Sequence, residues 1–324
     1  MRIAVVGLGS MGKRRIRLIR NYFVNFEVIG IDSRADRREE AQETFAIVSF
    51  ESLEKAASQQ LDAVFICTSP VTHEAIIKAA LELNLHVFTE INLLNSYYED
   101  VIKIAKNKNL HLYLSSTFLH RKEINYIKEK VNLDKKITYR YHVGQYLPDW
   151  HPWESYKNFF VANKKTNGTR EIFVIELPWL VTTFGDIKKI SVVSNKISDL
   201  EIDYPDNYSV LIEHETGILG TMNVNIVSRI AKRDLDIIGE NTQIEWDGTP
   251  MSLREWSHEN NEMIEVNLYD EFEKDPKYAA NIIEDAYLEE IIEFVRLVNG
   301  EISETVYSFE KDKEIIDWID LIEK

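Results

Sequence analysis

Short apolar runs alternate with amphipathic stretches through the first third of the chain. The runs at 3–6, 27–32, 46–48, 62–67, 86–89 and 111–115 have the length and content of buried strands. Between them, 70–82 and 97–106 place apolar residues at helical spacing. Strand–helix alternation of this kind demands right-handed crossovers, and therefore a parallel sheet with helices on both faces. Beyond residue 119 the rhythm changes: 121–131 and 170–184 read as helices and 137–143 as a strand. Between the last two lies the irregular aromatic stretch GQYLPDWHPWESYKNFF. From 190 to 246, period-two alternation dominates. NYSVLIEHETGILGTMNVNIV reads as a hairpin turning at Glu215, Thr216 and Gly217, and RDLDIIGENTQIEWD as a second turning at 239–241. Helical spacing returns at 279–298 and 310–323.

The first turn of this pattern carries chemistry. VVGLGSMG places Gly7, Gly9 and Gly12 in G-x-G-x-x-G spacing directly after a strand and before a helix. The first glycine permits the tight turn, the second lets the backbone approach a pyrophosphate, and the third lets helix and strand pack closely. Free N–H groups at the helix start favour a phosphate. Asp32 ends the second strand 20 residues beyond Gly12, where a carboxylate can accept the ribose hydroxyls of an adenosine. The cofactor expected is NAD; Arg34 and Arg37 keep NADP open, since they could embrace a 2′-phosphate. The neighbouring Lys13, Arg14 and Arg15 read as a solvated helix face. The fold class is thus α/β: an N-terminal Rossmann domain over 1–119, followed by an α+β domain with a large, mainly antiparallel open sheet over 120–324.

Length and charge narrow the function. A chain of 324 residues suits two cores. With 38 Lys and Arg against 54 Asp and Glu, the formal charge of −16 argues against nucleic acid or an anionic membrane as partner. The single cysteine, Cys67, cannot form an intramolecular disulfide and sits in the apolar run AVFICT, which reads as a buried thiol in a reducing, cytoplasmic setting. No stretch approaches a membrane span, and the N-terminus lacks the charge-then-apolar order of a signal peptide. Neither a P-loop nor a G-x-S-x-G elbow is present.

RIAVVGLGSMG, DAVFICTSPVTHEAIIKAALELNLHVFTE and VLIEHETGILGTMNVNIVSRIAKRDLDIIGENTQIEWD together resemble the Gfo/Idh/MocA-type oxidoreductases, named after glucose–fructose oxidoreductase and inositol dehydrogenase. YHVGQYLPDWHPWESY is similar to a subgroup linked to bacterial surface polysaccharide and nonulosonic-acid pathways. The resemblance implies a dehydrogenase acting on a carbinol of a sugar or nucleotide sugar, assembled as a homodimer or homotetramer through the open sheet. It puts Gly7, Gly9, Ser10, Met11, Gly12, Asp32, Ser33, Arg34, Thr68, Ser69, Pro70 and His73 at the cofactor, with Glu90 near the nicotinamide.

The chain departs from that family at two signatures. Where members carry Glu-Lys-Pro, it has Glu90, Ile91 and Asn92, and isoleucine can neither donate nor titrate. The helical Asp-x-x-x-His is lost within NGTREIFVIELPWLVTTFG, whose corresponding positions hold Ile172 with Ile175 or Glu176. Oxidising a carbinol still requires a proton acceptor, and Glu176, His151 and Glu90 are the catalytic candidates, ahead of Tyr146 and His120. Tyr146, Trp150, Trp153, Arg170, Glu171 and Trp179 are expected to line a sugar pocket, the rings stacking on pyranose faces. Asp149, His151 and Glu154 lack metal-ligand spacing, so no metal is expected. The alternative is a non-catalytic NAD-binding scaffold or sensor of the same fold.

Overall fold

The structure is a computed structural model that describes residues 1–151, 154–269 and 283–324. In chain order the first elements are β1 (Arg2–Val6), α1 (Ser10–Tyr22), β2 (Glu27–Ile31), α2 (Ala35–Phe45), β3 (Ser49–Phe50), α3 (Leu53–Ala56), β4 (Ala63–Ile66), α4 (His73–Glu82), β5 (His86–Thr89), α5 (Tyr98–Lys108) and β6 (Leu112–Leu114). There follow α6 (Lys122–Leu133), β7 (Ile137–Gly144), α7 (Gly168–Phe184), β8 (Ile187–Asn195), β9 (Asn207–His214), β10 (Leu219–Asn225) and β11 (Lys232–Gly239). The last are β12 (Gln243–Trp246), β13 (Arg254–Ser257), β14 (Glu262–Glu265), α8 (Glu284–Val298) and α9 (Phe309–Ile322).

The chain divides into two compact units, Met1–Thr117 with Tyr287–Ile316, and Phe118–Ala286 with Asp317–Lys324. The periodicity pointed to one break after residue 119. It carries no signal for the return of residues 287–316 to the first unit, because amphipathic spacing shows that a helix has an apolar face but not what that face packs on.

The first unit holds a six-stranded parallel sheet in the order β3-β2-β1-β4-β5-β6. Its strands are almost wholly buried, as helices on both faces require. Phe65, Phe88 and Tyr113 stack across β4, β5 and β6 with centroids 4.4 and 4.9 Å apart. Phe294 of α8 meets all three edge-on, which is how the returning segment joins this core. The strand expected at 46–48 lies instead at Ser49–Phe50. Ala46 is the left-handed cap of α2, its N–H bonded to Gln42 O.

The second unit is an eight-stranded sheet in the order β14-β13-β12-β11-β7-β10-β9-β8, antiparallel throughout except for β7 with β10. Both expected hairpins are present. One face of the sheet buries Tyr139, Tyr141, Tyr208, Val210, Ile212, Met222 and Leu235. α7 covers that face and is buried on nearly all sides. The opposite face leaves Leu211, Leu219, Ile238 and Val193 open among polar neighbours.

Candidate active site

In the order β3-β2-β1-β4-β5-β6 the chain runs outward in both directions from β1 and β4, and the crevice beyond their C-terminal ends is where open parallel sheets bind ligands. Gly7 follows β1, Gly12 lies in the first turn of α1, Asp32 follows β2, Thr68 to Pro70 follow β4 and Glu90 follows β5. The three glycines are present for different reasons. Gly7 has φ +92°, and a Cβ there would fall 2.6 Å from Cys67 O. A Cβ on Gly12 would fall 1.9 Å from Gly7 O. Gly9 has ordinary extended backbone, and a Cβ would meet nothing closer than Arg37 Nη1 at 3.6 Å. Packing therefore dictates the first and third glycines but not the second.

Asp32 is buried, and its carboxylate accepts from Leu8 N at 2.8 Å and Arg34 N at 2.9 Å. Two oxygens offer about four acceptor positions, so capacity for ribose hydroxyls remains. Arg37 stands 3.6 Å from Asp32 Oδ2. Arg34 pairs with Asp36, whose carboxyl the guanidinium holds at about 2. Ser33 is exposed, and its carbonyl accepts from Arg38. Ser10 starts α1 at the surface; Met11 Sδ lies 3.8 Å from Arg14. Thr68 accepts from the Thr72 hydroxyl, while Ser69 and Pro70 begin a short turn leading into α4.

Several expectations are corrected. His73 is wholly buried, with Nδ1 2.7 Å from Asn92 Oδ1 and Nε2 3.1 Å from Thr68 O. Burial lowers its pKa. It ties the loop after β4 to the loop after β5 and presents no edge to a cofactor. Arg14 and Arg15 are buried, not solvated. Arg15 donates to Glu90 Oε1 at 2.7 Å and Glu290 Oε2 at 2.6 Å, and lies over the Phe88 ring at 4.6 Å. Burial would lower its pKa, but the two carboxylates outweigh that and raise it. Both Glu90 oxygens thus accept from Arg15, which ties the carboxylate to α1.

Cys67 lies 3.9 Å from Glu90 Oε1, and its thiol pKa is pushed well up, first by burial and then by that carboxylate. Cys67 is only partly buried, so the native thiol should react slowly with a disulfide reagent at neutral pH and fast on denaturation. A rapid native reaction would contradict the raised pKa.

In the second unit, Glu176 is wholly buried and accepts from Tyr141 Oη at 2.7 Å, Trp179 Nε1 at 2.8 Å and Arg233 Nε at 2.8 Å. Both of its oxygens are engaged, which removes it as a general base. Trp179 is core, edge-on to Tyr141 and Trp246. Arg170 is buried and paired with Asp320 and Glu323, so it cannot hold a substrate. Trp153 lies outside the described residues.

The aromatic stretch is anchored at the ends of β7 and β10, where Gln145 N and Leu147 N donate to Asn225 O and Ile226 O. Arg229 lies over the Tyr146 ring at 3.6 Å and has no carboxylate partner among the described residues. His151 is half-buried and stacked on Phe159 at 4.6 Å, and burial lowers its pKa against the opposing pull of Glu154. Trp150 reaches α7, its ring edge 3.5 Å from where a Gly168 Cβ would stand. Its indole N–H is buried without an acceptor among the described residues. One turn along α7, the partly exposed Glu171 keeps Oε2 buried without a donor among the described residues, and burial raises its carboxyl to about 7. The sequence singled out both residues but held no sign of this desolvation.

Among the described residues, no cluster of three or more His, Cys, Asp or Glu is placed to hold a metal, and no helix is long and apolar enough to cross a membrane.

Comparison with known proteins places this geometry. Residues 1–115 match the model of the GFO_IDH_MocA family, an oxidoreductase family with an NAD-binding Rossmann fold. Human biliverdin reductase A is 26% identical over 216 residues, covering 66% of this chain and 67% of its own. An oxidoreductase from Agrobacterium radiobacter, solved with NAD+, L-tartaric acid and magnesium, superposes with TM-score 0.80 at 15% identity, over 99% of this chain and 94% of its own. The WlbA dehydrogenase from Bordetella pertussis, solved with NADH and UDP-GlcNAcA, gives TM-score 0.75 at 14% identity, over 99% and 95%. The NAD expectation is borne out by the family match. Over residues 1–115 the chain is thus similar to the NAD-binding Rossmann domain of the GFO_IDH_MocA oxidoreductases.

Proposed function

We propose that the protein is an NAD-dependent dehydrogenase acting on a carbinol of a sugar or nucleotide sugar. The observation that carries the cofactor half is Gly9: nothing in the fold forbids a side chain there, so the glycine is explained by a ligand that approaches the backbone. The N–H groups opening α1 would hold the pyrophosphate, Asp32 the adenosine ribose, and Thr68 to Pro70 the nicotinamide side. NAD, when bound, supplies the hydride acceptor; the protein's part is to orient the carbinol, exclude water and take its hydroxyl proton.

Three features support a sugar substrate. Tyr146 and Trp150 offer flat apolar faces on the aromatic stretch, and Arg229 offers a cation beside them that suits a diphosphate or carboxylate. The WlbA dehydrogenase of the same fold was solved with a nucleotide sugar. Assembly through the open sheet, with Leu211, Leu219 and Ile238 at the contact, belongs to the same proposal.

The test is to equilibrate the purified protein with NAD, add UDP-N-acetylglucosamine, its uronic acid and other nucleotide sugars in turn, and follow nicotinamide absorbance. Reduction with one of them is the expected result. Tight NAD binding with no reduction by any carbinol would instead favour the scaffold. The likeness to biliverdin reductase A makes biliverdin with NADH the control for a different substrate class.

A further inference from the structure

Given the NAD site proposed above, the two halves of the cofactor meet different parts of the first unit. The glycine turn after β1 takes the pyrophosphate and Asp32 after β2 the adenosine ribose. The sheet order then leaves the nicotinamide half to the loops after β4 and β5. We infer that His73 and Asn92 are positioning residues for that half: the bridge between them fixes the spacing of the two loops before the cofactor arrives.

β4 and β5 pair as far as Ile66 with Thr89, and beyond that pair the two segments part. Among the described residues, no backbone hydrogen bond joins residues 68–70 to 90–95. His73, at the start of α4, spans the gap with a wholly buried ring. Nε2 lies 3.1 Å from Thr68 O, Nδ1 lies 2.7 Å from Asn92 Oδ1, and Thr89 Oγ1 stands 3.2 Å from Nδ1 at the strand end. A carbonyl only accepts, so Nε2 donates to Thr68 O. An amide carries both a donor and an acceptor, so Asn92 can satisfy Nδ1 in either tautomer.

Packing alone does not account for the pair. α4 buries Ile77, Ala80 and Leu81 along one face, and an apolar residue at 73 would extend that face without desolvating an imidazole. A buried ring with both nitrogens engaged is kept for its bonds. Burial lowers its pKa against the opposing pull of Asn92, Thr68 and Glu90, so the bridge stays uncharged at neutral pH.

Asn92 is the informative half. The Glu-Lys-Pro of the family that the chain resembles would put proline here, and a proline side chain neither donates nor accepts. The departure at position 92 therefore supplies the group that His73 reaches.

Loops already set at the right spacing need not be ordered by the ligand, and the entropy of ordering them stays out of the affinity. The benefit goes only to a ligand that meets both loops. ADP-ribose carries the pyrophosphate and the adenosine ribose but no nicotinamide ring, so it reports on the rest of the site.

The experiment titrates full-length wild type, His73→Ala, His73→Gln, Asn92→Ala and the double variant His73→Gln/Asn92→Ala with NAD and with ADP-ribose, and melts each protein without ligand. Loss of the bridge is expected to weaken NAD binding about tenfold. ADP-ribose binding should stay within about twofold of wild type, since its contacts are at the glycine turn and Asp32. His73→Gln can put an amide nitrogen where Nε2 stands and so keep Thr68 but lose Asn92. The double variant should therefore lose no more NAD affinity than either single change, as two ends of one contact do. Should His73→Ala fail to fold, His73→Gln and Asn92→Ala carry the test. Unchanged NAD affinity overturns the positioning role, and so does an equal loss for both ligands with a lowered melting temperature, which would make the bridge a support of the fold alone. A wild type that binds neither ligand overturns the NAD reading itself.

Discussion

Glu176→Gln is expected to destabilise the second unit by about 3–5 kcal/mol, the usual cost of breaking a buried ion pair from one side. The carboxylate is the shared acceptor of Tyr141, Trp179 and Arg233, which come from β7, α7 and β11. An amide retains one acceptor oxygen for three donors and turns an N–H toward at least one of them. Arg233 is a fifth exposed, so its stranded charge recovers some hydration, and the lower end of that range is expected. Denaturant unfolding followed by tryptophan fluorescence measures the effect, because Trp179 and Trp246 lie edge-on in the same core. Activity per folded molecule should change little. A stable but inactive Glu176→Gln protein would place the base at Glu176 after all.

Substitution of the second and third glycines of the first turn, Gly9 and Gly12, should separate folding from binding. Gly12→Ala pushes a methyl to 1.9 Å from Gly7 O, and neither atom can rotate away. The cost should exceed the upper part of the ordinary overpacking range, about 3 kcal/mol, because the collision is with backbone. Gly9→Ala meets only the mobile tip of Arg37 at 3.6 Å. It should fold as well as wild type, with a gain of up to about 1 kcal/mol from a stiffer unfolded chain. Its methyl stands where a pyrophosphate would approach, so NAD affinity should fall at least tenfold, about 1.4 kcal/mol. Calorimetry of melting and of NAD titration on both variants gives four numbers. A Gly9→Ala protein that binds NAD normally would remove the main support for the cofactor geometry.

Local features of the fold were legible in the sequence because period and turn chemistry are local. β1, β4, β5 and the hairpin at Gly217 fall within a residue or two of where alternation placed them. Strand β3 was misplaced because two residues carry too little periodicity to register against a helix cap. The site was legible where a motif fixes backbone, as at Gly7 and Asp32, and illegible where the decisive fact is a partner. Arg15 meets Glu290 across 275 positions, and Glu176 meets Arg233 across 57. Nothing in KRR distinguishes a solvated lysine face from one with a buried arginine inside it. Glu171 was picked out by its place at a helix start, yet its distinguishing property is what fails to reach it.

The pairing of Arg15 with Glu290 also bears on how the protein is made. Translation delivers β1 to β6 long before residues 287–316, so a nascent chain carries Arg15 without one of its two carboxylates and the Phe65–Phe88–Tyr113 stack without the Phe294 edge. A buried guanidinium missing half its counter-charge is a strong penalty. The glycine turn and the strands around it therefore reach their final packing only after residues 287–316 have been made. The segment that completes this packing is translated well after the motif it supports.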